Sequence, residues 1–138
     1  MAVPQRLTFV TLGAHDVTAL RRFYAAWGWQ ERAGADATFV QYEVGGVRLA
    51  LYSVELLRAE AAPESALPAP GAWSGITLAI NVESAEAVDQ VCRSAVGAGA
   101  RIVAPAAERE WGGFSGYLAD PEGNRWEIAW LPGFLADS

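Results

Sequence analysis

Hydrophobic and polar residues along the sequence predict one series of elements that occurs twice. Residues 7–13, LTFVTLG, are rich in β-branched and aromatic residues and end on glycine, which predicts a strand. Asp16 then precedes apolar residues at three- and four-residue steps up to Trp27, which predicts a capped helix. Three more strands are predicted at residues 29–33, 38–44 and 47–53. The first unit is therefore β-α-β-β-β, and Gly45-Gly46 marks a hairpin between its last two strands.

The same series returns after a proline-containing stretch. Residues 54–60 are compatible with a short helix, and residues 61–73 are interpreted as a linker. A strand at residues 75–82 is followed by Ser84, which can cap a helix with apolar Val88, Val91, Cys92 and Ala95. Further strands are predicted at residues 101–103, 116–119 and 125–131. We therefore expect a single domain over residues 1–138, with module 1 at about 7–53, a linker at 54–74 and module 2 at about 75–131.

Aligned segments support an internal repeat. FVTLGAHDV from Phe9 matches TLAINVESA from Thr77 at an offset of 77 − 9 = 68, and GVRLALY from Gly46 matches GNRWEIA from Gly123 at an offset of 123 − 46 = 77. Arg48 then aligns with Arg125. The offsets differ by 77 − 68 = 9 residues, so the second module contains an insertion of that length. We assign the insertion to residues 107–115, AEREWGGFS. The protein is predicted to have pseudo-twofold symmetry.

Alternation along the strands separates a strongly apolar face, expected beneath the helices, from a mixed face. Aromatic, hydroxyl, amide and charged groups on apolar walls are typical of a ligand pocket, while a solvated sheet face is the alternative. The candidate ligand-binding residues on the mixed face are Phe9, Thr11, Arg48, Ala50, Tyr52, Thr77, Asn81, Arg125 and Glu127.

Composition excludes several classes of protein. No apolar run approaches the roughly 20 residues of a membrane span, and no signal-peptide pattern opens the sequence, so we expect a cytoplasmic protein that does not interact with membranes. A net charge of −6, with scattered arginines, argues against a nucleic-acid partner. The single cysteine, Cys92, cannot form an intrachain disulfide and is expected to pack in a helix.

Two motifs, DPEGNRWEI at residues 120–128 and LGAHDVTALRRFY at residues 12–24, together with the paired units, resemble the vicinal oxygen chelate superfamily. That superfamily includes glyoxalases, extradiol dioxygenases and bleomycin resistance proteins, and the resemblance covers residues 7–131. It implies an α+β fold in which paired βαβββ modules form an open, curved eight-stranded sheet around a central cavity. It also implies a homodimer.

In metal-dependent members of the superfamily, four His or Glu ligands come from the first and last strands of each module. The resemblance places these positions at Phe9, Ala50, Thr77 and Glu127, of which only Glu127 can bind a metal. A catalytic divalent site ordinarily needs about three protein ligands. We therefore predict no metal and no other cofactor, and we interpret His15, the sole histidine, as a residue of the turn before the helix.

Glu127 has three candidate roles. Desolvation in an apolar cavity would favour its neutral form and suit an acid or base near neutral pH. Alternatively, it stays ionised by pairing with Arg48 or Arg125. In the third interpretation its carboxylate orients a cationic or hydrogen-bonding ligand that stacks on aromatic side chains.

The inserted segment contains the aromatic residues Trp111 and Phe114 next to the flexible pair Gly112-Gly113. We expect it to act as a lid that closes over a ligand. The alternative is that Trp111 seals one end of the barrel or packs at a dimer interface.

The sequence thus favours a protein that sequesters a small, largely apolar or aromatic molecule without a catalytic metal. The second hypothesis is a metal-independent lyase or isomerase with Glu127 as its acid or base. The third is a metal-dependent glyoxalase-type lyase or dioxygenase.

Overall fold

A computed structural model describes residues 1–135, which form two compact units that divide between Ala69 and Pro70. The first unit contains β1 (Phe9–Ala14), α1 (Val17–Ala26), β2 (Phe39–Val44), β3 (Val47–Ser53) and α2 (Val54–Ala61). The second contains β4 (Thr77–Asn81), α3 (Ala85–Gly97), β5 (Arg101–Glu108), β6 (Phe114–Ala119) and β7 (Arg125–Trp130). The predicted α+β class is confirmed.

In the first unit, the sheet has the order β1-β3-β2, with β1 parallel and β2 antiparallel to β3. Helix α1 begins after Asp16, whose carboxylate accepts a hydrogen bond from the Ala19 amide at 3.0 Å, as the sequence predicted. Its buried residues include Leu20, Phe23 and Tyr24, and the helix contacts β3. The apolar stripe of α1 therefore forms the core of this unit.

In the second unit, the sheet has the order β4-β7-β6-β5. Helix α3 contacts β5, β6 and β7. Ser84 caps α3 by accepting a hydrogen bond from the Ala87 amide at 3.0 Å. Val88, Cys92 and Ala95 are buried on the helix. A Cβ atom on Gly116 would lie 3.1 Å from the Cys92 sulfur, so glycine lets α3 approach β6 closely.

The expected eight strands are not all present. Residues 1–135 contain seven strands in sheets of three and four, because residues 29–33 do not form a strand. This segment makes one strand-like hydrogen bond, from the Arg32 amide to the Gln41 carbonyl at 2.8 Å. Arg21 of α1 binds the Glu31 carboxylate through two hydrogen bonds of 2.8 Å, and this pairing holds the segment against the helix.

Strand pairing confirms the internal alignment. Phe9 lies opposite Arg48 in the first sheet, and the aligned Thr77 lies opposite Arg125 in the second. The next pairs on the same faces are Thr11 with Ala50, and Ala79 with Glu127. The repeat is therefore present in the strand register as well as in the order of elements.

No helix within residues 1–135 has the length and apolar character needed to cross a bilayer.

Candidate functional site

Glu127 lies in the middle of β7, between Ala79 of β4 and Tyr117 of β6. The Tyr117 hydroxyl donates a hydrogen bond to Oε2 of Glu127 at 3.0 Å. Both side chains are partly buried. The carboxylate is thus fixed by a neighbouring strand while its other oxygen, Oε1, accepts no hydrogen bond within residues 1–135.

Small side chains surround this carboxylate on the same face of the sheet. Ala79 is directly opposite on one side, and Ala129 and Ser115 form the next pair along the two central strands. Ala129 and Ser115 are buried, whereas Ala79 is exposed. Because alanine ends at Cβ, the Glu127 carboxylate extends beyond Ala79 and Ala129. The predicted residues Thr77, Asn81 and Arg125 lie on this face as well.

Arg109 holds Tyr117 from the adjoining hairpin. Its guanidinium lies 5.6 Å from the centroid of the Tyr117 ring, within the range of a cation–π interaction. The same group donates to the Ser115 hydroxyl at 3.0 Å and to the Ser115 carbonyl at 2.8 Å. The ring of Tyr117 is therefore fixed between an arginine and a carboxylate.

Burial raises the pKa of the Tyr117 hydroxyl, and the hydrogen bond to Glu127 raises it further. The Arg109 charge acts in the opposite direction but is the smallest of these effects. Since an unperturbed tyrosine has a pKa of about 10, Tyr117 stays protonated at neutral pH and donates to the carboxylate.

Neither arginine proposed as a partner of Glu127 forms an ion pair with it. Arg48 pairs with Glu43 at 2.8 Å and lies 5.8 Å from the Phe9 ring centroid. Arg125 donates to the Gly123 carbonyl at 2.6 Å. Within residues 1–135 the partner of Glu127 is a phenol, so the salt-bridge interpretation is not supported.

The corresponding face of the first unit contains its predicted residues in register. Phe9 and Thr11 are exposed on β1, while Ala50 of β3 has no accessible surface. The Tyr52 hydroxyl donates to Glu60 of α2 at 2.8 Å. Helix α2 therefore anchors Tyr52 at one end of this face.

The inserted segment is a hairpin, because β5 extends to Glu108 and β6 starts at Phe114. The Arg109 amide donates to the Gly113 carbonyl at 2.8 Å, which closes the turn. The Trp111 ring lies directly over Gly113, where any Cβ atom would collide with it.

Phe114 lies opposite Trp130 and shares the face of Gly116, which contacts α3. Tyr117 and Glu127 lie on the other face of the sheet. Phe114 is therefore not brought together with Glu127, and it does not belong to the proposed site. The structure shows a closed turn, and the lid function of Trp111 stays a prediction.

The four positions implied for a metal do not fit one. Phe9 and Ala50 offer a phenyl ring and a methyl group, Thr77 offers a neutral hydroxyl, and only Glu127 offers a carboxylate. In the part of the protein that the structure describes, no group of three His, Cys, Asp or Glu side chains is arranged to hold a metal ion. His15 follows β1, as predicted, and its Nε2 lies 3.0 Å from the Pro68 carbonyl oxygen.

Sequence reasoning did not identify Tyr117 and Arg109. The position of Tyr117 follows from the hairpin, because a turn that pairs Ala119 with Arg125 also pairs Tyr117 with Glu127. That signal was present in the sequence. The contact of Arg109 with Tyr117 depends on register shifts along β5, which no simple alternation predicts.

Comparison with known proteins places the sequence in a family. Residues 9–129 match the model of a glyoxalase-like domain. The protein therefore belongs to the glyoxalase-like family, within the vicinal oxygen chelate superfamily.

Solved structures agree with this assignment. A glyoxalase-related enzyme from Fulvimarina pelagi is 31% identical, with a TM-score of 0.82 over 94% of this protein and 90% of the other. A glyoxalase/bleomycin resistance protein/dioxygenase from Nocardioides is 25% identical, with a TM-score of 0.78 over 96% and 88% of the two proteins. A lactoylglutathione lyase from Agrobacterium tumefaciens, at 20% identity and a TM-score of 0.70 over 93% and 95%, shares the fold. No curated protein matches the sequence.

Proposed function

We propose that this protein binds a small, largely apolar or aromatic molecule on the sheet face that carries Glu127, without a catalytic metal. The observation that supports this most directly is the hydrogen bond from Tyr117, which fixes one carboxylate oxygen and leaves the other for a ligand. Sequestration of a drug or metabolite is the role that we favour.

The chemistry of this face suits a ligand with a hydrogen-bond donor or a positive charge. The second oxygen of Glu127 accepts the donor, and the neighbouring alanines leave room for an apolar body. Ligand-binding sites of this kind combine apolar walls with a few polar groups that fix orientation. The predicted residues Thr77, Asn81, Arg125 and Trp111 of the second unit belong to this proposal. For the first unit we propose separately that its own corresponding face contributes to ligand binding through Phe9, Thr11, Arg48, Ala50 and Tyr52.

Metal-independent lyase or isomerase chemistry is the second candidate. The contact between Tyr117 and Glu127 favours it, because the Glu127 carboxylate can accept a proton from a bound molecule and become neutral, and the Tyr117 hydroxyl can then donate its hydrogen bond to the negative charge left on that molecule. In that case Glu127 is the acid or base. The metal-dependent alternative needs ligands that the four family positions do not supply.

A thermal-shift screen of planar aromatic amines, antibiotics and metabolites tests the binding proposal. Hits should raise the melting temperature of the wild-type protein, and Glu127→Gln should reduce affinity about tenfold by replacing a charged acceptor with a neutral one. Glu122→Gln is the matched control, since Glu122 lies in the turn before β7. If no ligand distinguishes the two variants, the proposed site is wrong.

Turnover of a hit separates sequestration from catalysis. A bound molecule that is recovered unchanged supports sequestration. If Glu127→Gln instead abolishes turnover while affinity is retained, the protein is an enzyme. Metal analysis of protein purified without a chelator tests the third hypothesis, which near-stoichiometric divalent metal would support.

We further propose that the protein acts in the cytoplasm as a homodimer, on the basis of the superfamily resemblance and the sequence composition. Light scattering after size exclusion measures the oligomeric state, and cell fractionation measures the location.

A further inference from the structure

One face of the first sheet carries three polar side chains around Ala50, one from each of its strands. Thr11 of β1 lies opposite Ala50 on one side, and Gln41 of β2 lies opposite it on the other. Arg48 shares this face because it is two residues before Ala50 on β3. The three polar side chains retain accessible surface, whereas Ala50 has none. A molecule bound on this face therefore contacts the polar side chains rather than Ala50.

Neighbouring groups hold the Arg48 guanidinium in place. Its Nε donates to the Glu43 carboxylate at 2.8 Å, and its Nη1 donates to Oε1 of Gln41 at 3.2 Å. Its Cζ lies 5.8 Å from the centroid of the Phe9 ring. Its Nη2 bonds to no protein group within residues 1–135. Because the side chain is 35% exposed, a fixed guanidinium presents these remaining donors to a ligand.

The contact with Arg48 also fixes the orientation of the Gln41 amide. A guanidinium can only donate, so the atom that faces Arg48 is the oxygen, and the amide nitrogen Nε2 points away from it. In the part of the protein that the structure describes, Nε2 and the Thr11 hydroxyl make no hydrogen bonds. An amide, a hydroxyl and a guanidinium can therefore all donate to one bound acceptor group.

The charge beside these donors is positive. The Glu43 carboxylate lies 2.8 Å from Arg48 Nε and 3.5 Å from Arg32 Nη1. Two positive charges and one negative charge leave a local net charge of 2 − 1 = +1. Salt screens the rest of the protein's charge beyond about 10 Å, so the local charge decides which ion is preferred. A group with a single negative charge neutralises the three side chains.

An aromatic region adjoins the donors on the same face. Phe39 and Tyr52 lie opposite each other on β2 and β3, and their rings meet edge to face with centroids 5.5 Å apart. Both side chains are only partly buried. They lie one row of side chains beyond Gln41 and Ala50, at a distance of about 7 Å along the strands. A ring joined directly to an anionic group is long enough to reach them.

We propose that this face binds an aromatic carboxylate. The carboxylate group lies at Thr11, Gln41 and Arg48, and the ring packs against Phe39 and Tyr52. A carboxylate supplies two acceptor oxygens and one negative charge, which match the donors and the local charge. The inference rests on the ligand-binding role proposed for the face of the first unit and gives that face a ligand class.

Benzoate is the probe, and benzamide is a neutral control of the same shape. In NMR titrations of ¹⁵N-labelled full-length protein near neutral pH, benzoate should shift the side-chain resonances of Gln41 Nε2 and Arg48 Nε until they saturate. A dissociation constant on the order of 1 mM is expected for so small a ligand. Benzamide should bind at least about fivefold more weakly, because it lacks the charge.

The outcomes separate this inference from the proposed function. Equal affinities for benzoate and benzamide would overturn the carboxylate inference while supporting aromatic ligands on this face. If neither compound shifts the two resonances, the inference is wrong. Binding of aromatic amines that depends on Glu127 is measured separately in the thermal-shift screen, so its success or failure is known in either case.

Gln41→Glu provides the second test. It keeps the shape of the side chain and an acceptor for Arg48, but it replaces the amide donors with a carboxylate. Benzoate affinity should fall more than about tenfold, and benzamidine, the cationic analogue, should bind more tightly than it does to the wild type. A purely structural role of Gln41 would not reverse the charge preference.

Arg22→Gln is the control, since it changes the net charge of the protein by the same amount. Arg22 is exposed on α1, which packs against the opposite face of the sheet, where Tyr24 contacts the buried Tyr42. Benzoate affinity should be retained in this variant. Unchanged benzoate affinity in Gln41→Glu, or an equal loss in Arg22→Gln, would show that the anion binds elsewhere and would overturn the proposal.

Discussion

The Tyr117 hydroxyl donates to the Glu127 carboxylate at 3.0 Å from the directly opposite position on the adjacent strand. Directly opposite residues on one face of an antiparallel pair are close enough to interact. The contact converts an isolated acid into a pair with a defined orientation. It therefore decides which oxygen of Glu127 remains for a ligand.

The titration of Tyr117 should depend on Glu127. In Glu127→Gln, the pKa of Tyr117 should fall because the hydrogen bond to a carboxylate and its negative charge are lost. It should remain above the ordinary value, since burial is the largest cause of the shift. Carbon NMR of labelled tyrosine measures this pKa directly. Tyr52, which bonds to Glu60, is the internal control and should titrate as in the wild type.

Gly123→Ala should destabilise the protein. Gly123 has φ of +85°, and a Cβ atom there would lie 2.7 Å from the backbone carbonyl carbon of Gly71. Backbone strain and the collision together should lower the free energy of unfolding by about 2 to 4 kcal/mol. Chemical denaturation measures the loss.

Gly75→Ala is the matched control for that substitution. Gly75 has φ of +86°, and nothing lies within 4 Å of its Cβ position. Gly75→Ala should therefore lower the free energy of unfolding by about 1 kcal/mol, through backbone strain alone. Equal losses in the two variants would show that the approach of Gly71 is unimportant.

Asp120→Ala should weaken the hairpin between β6 and β7. Asp120 is 5% exposed, and its Oδ1 accepts hydrogen bonds from the amides of Glu122 at 2.9 Å and Asn124 at 3.0 Å. Loss of these charge-assisted bonds should cost about 3 kcal/mol of stability, measured by denaturant unfolding. Asp36→Ala removes a similar but exposed set of bonds to Thr38 and Phe39, and its effect should be smaller.

Alkaline pH should unfold the protein partly through Tyr42. Its pKa is about 12 when folded and about 10 when unfolded, so the folded state binds the proton more tightly. The corresponding stability is complete below about pH 10 and is lost as the pH rises towards 12. Tyr42→Phe should therefore reduce the loss of stability over this range. All ten basic residues are arginines, so no lysine titration interferes. If Tyr42→Phe loses stability over this pH range as steeply as the wild type, Tyr42 does not contribute to alkaline unfolding.

Local patterns predicted most of the fold. Asp16 and Ser84 cap the helices as expected, and the offsets in the sequence reappear as the pairs Phe9 with Arg48 and Thr77 with Arg125. Residue propensities could not predict that residues 29–33 do not form a strand. This segment is held against α1 by the ion pair of Arg21 with Glu31, which is a tertiary contact that propensities do not describe.

The candidate site was less predictable. Alternation placed Glu127 correctly on the face opposite α3, but Phe114 lies on the helix side because β6 begins at that residue. An insertion makes the first residue of the following strand difficult to predict from the sequence. An error of one residue in that position moves every predicted side chain to the opposite face of the sheet. Tyr117 could have been found by counting residues outward from the turn.

The turn at Asp120 has a consequence for natural variation in this protein. Its buried carboxylate sets the residue at which β7 begins to pair, and Tyr117 reaches Glu127 only in that pairing. Gain or loss of one residue in this turn would leave both side chains in the sequence yet place them on opposite faces. Relatives that retain a tyrosine and a glutamate in these strands should therefore be compared by the length of the intervening segment before a shared site is inferred.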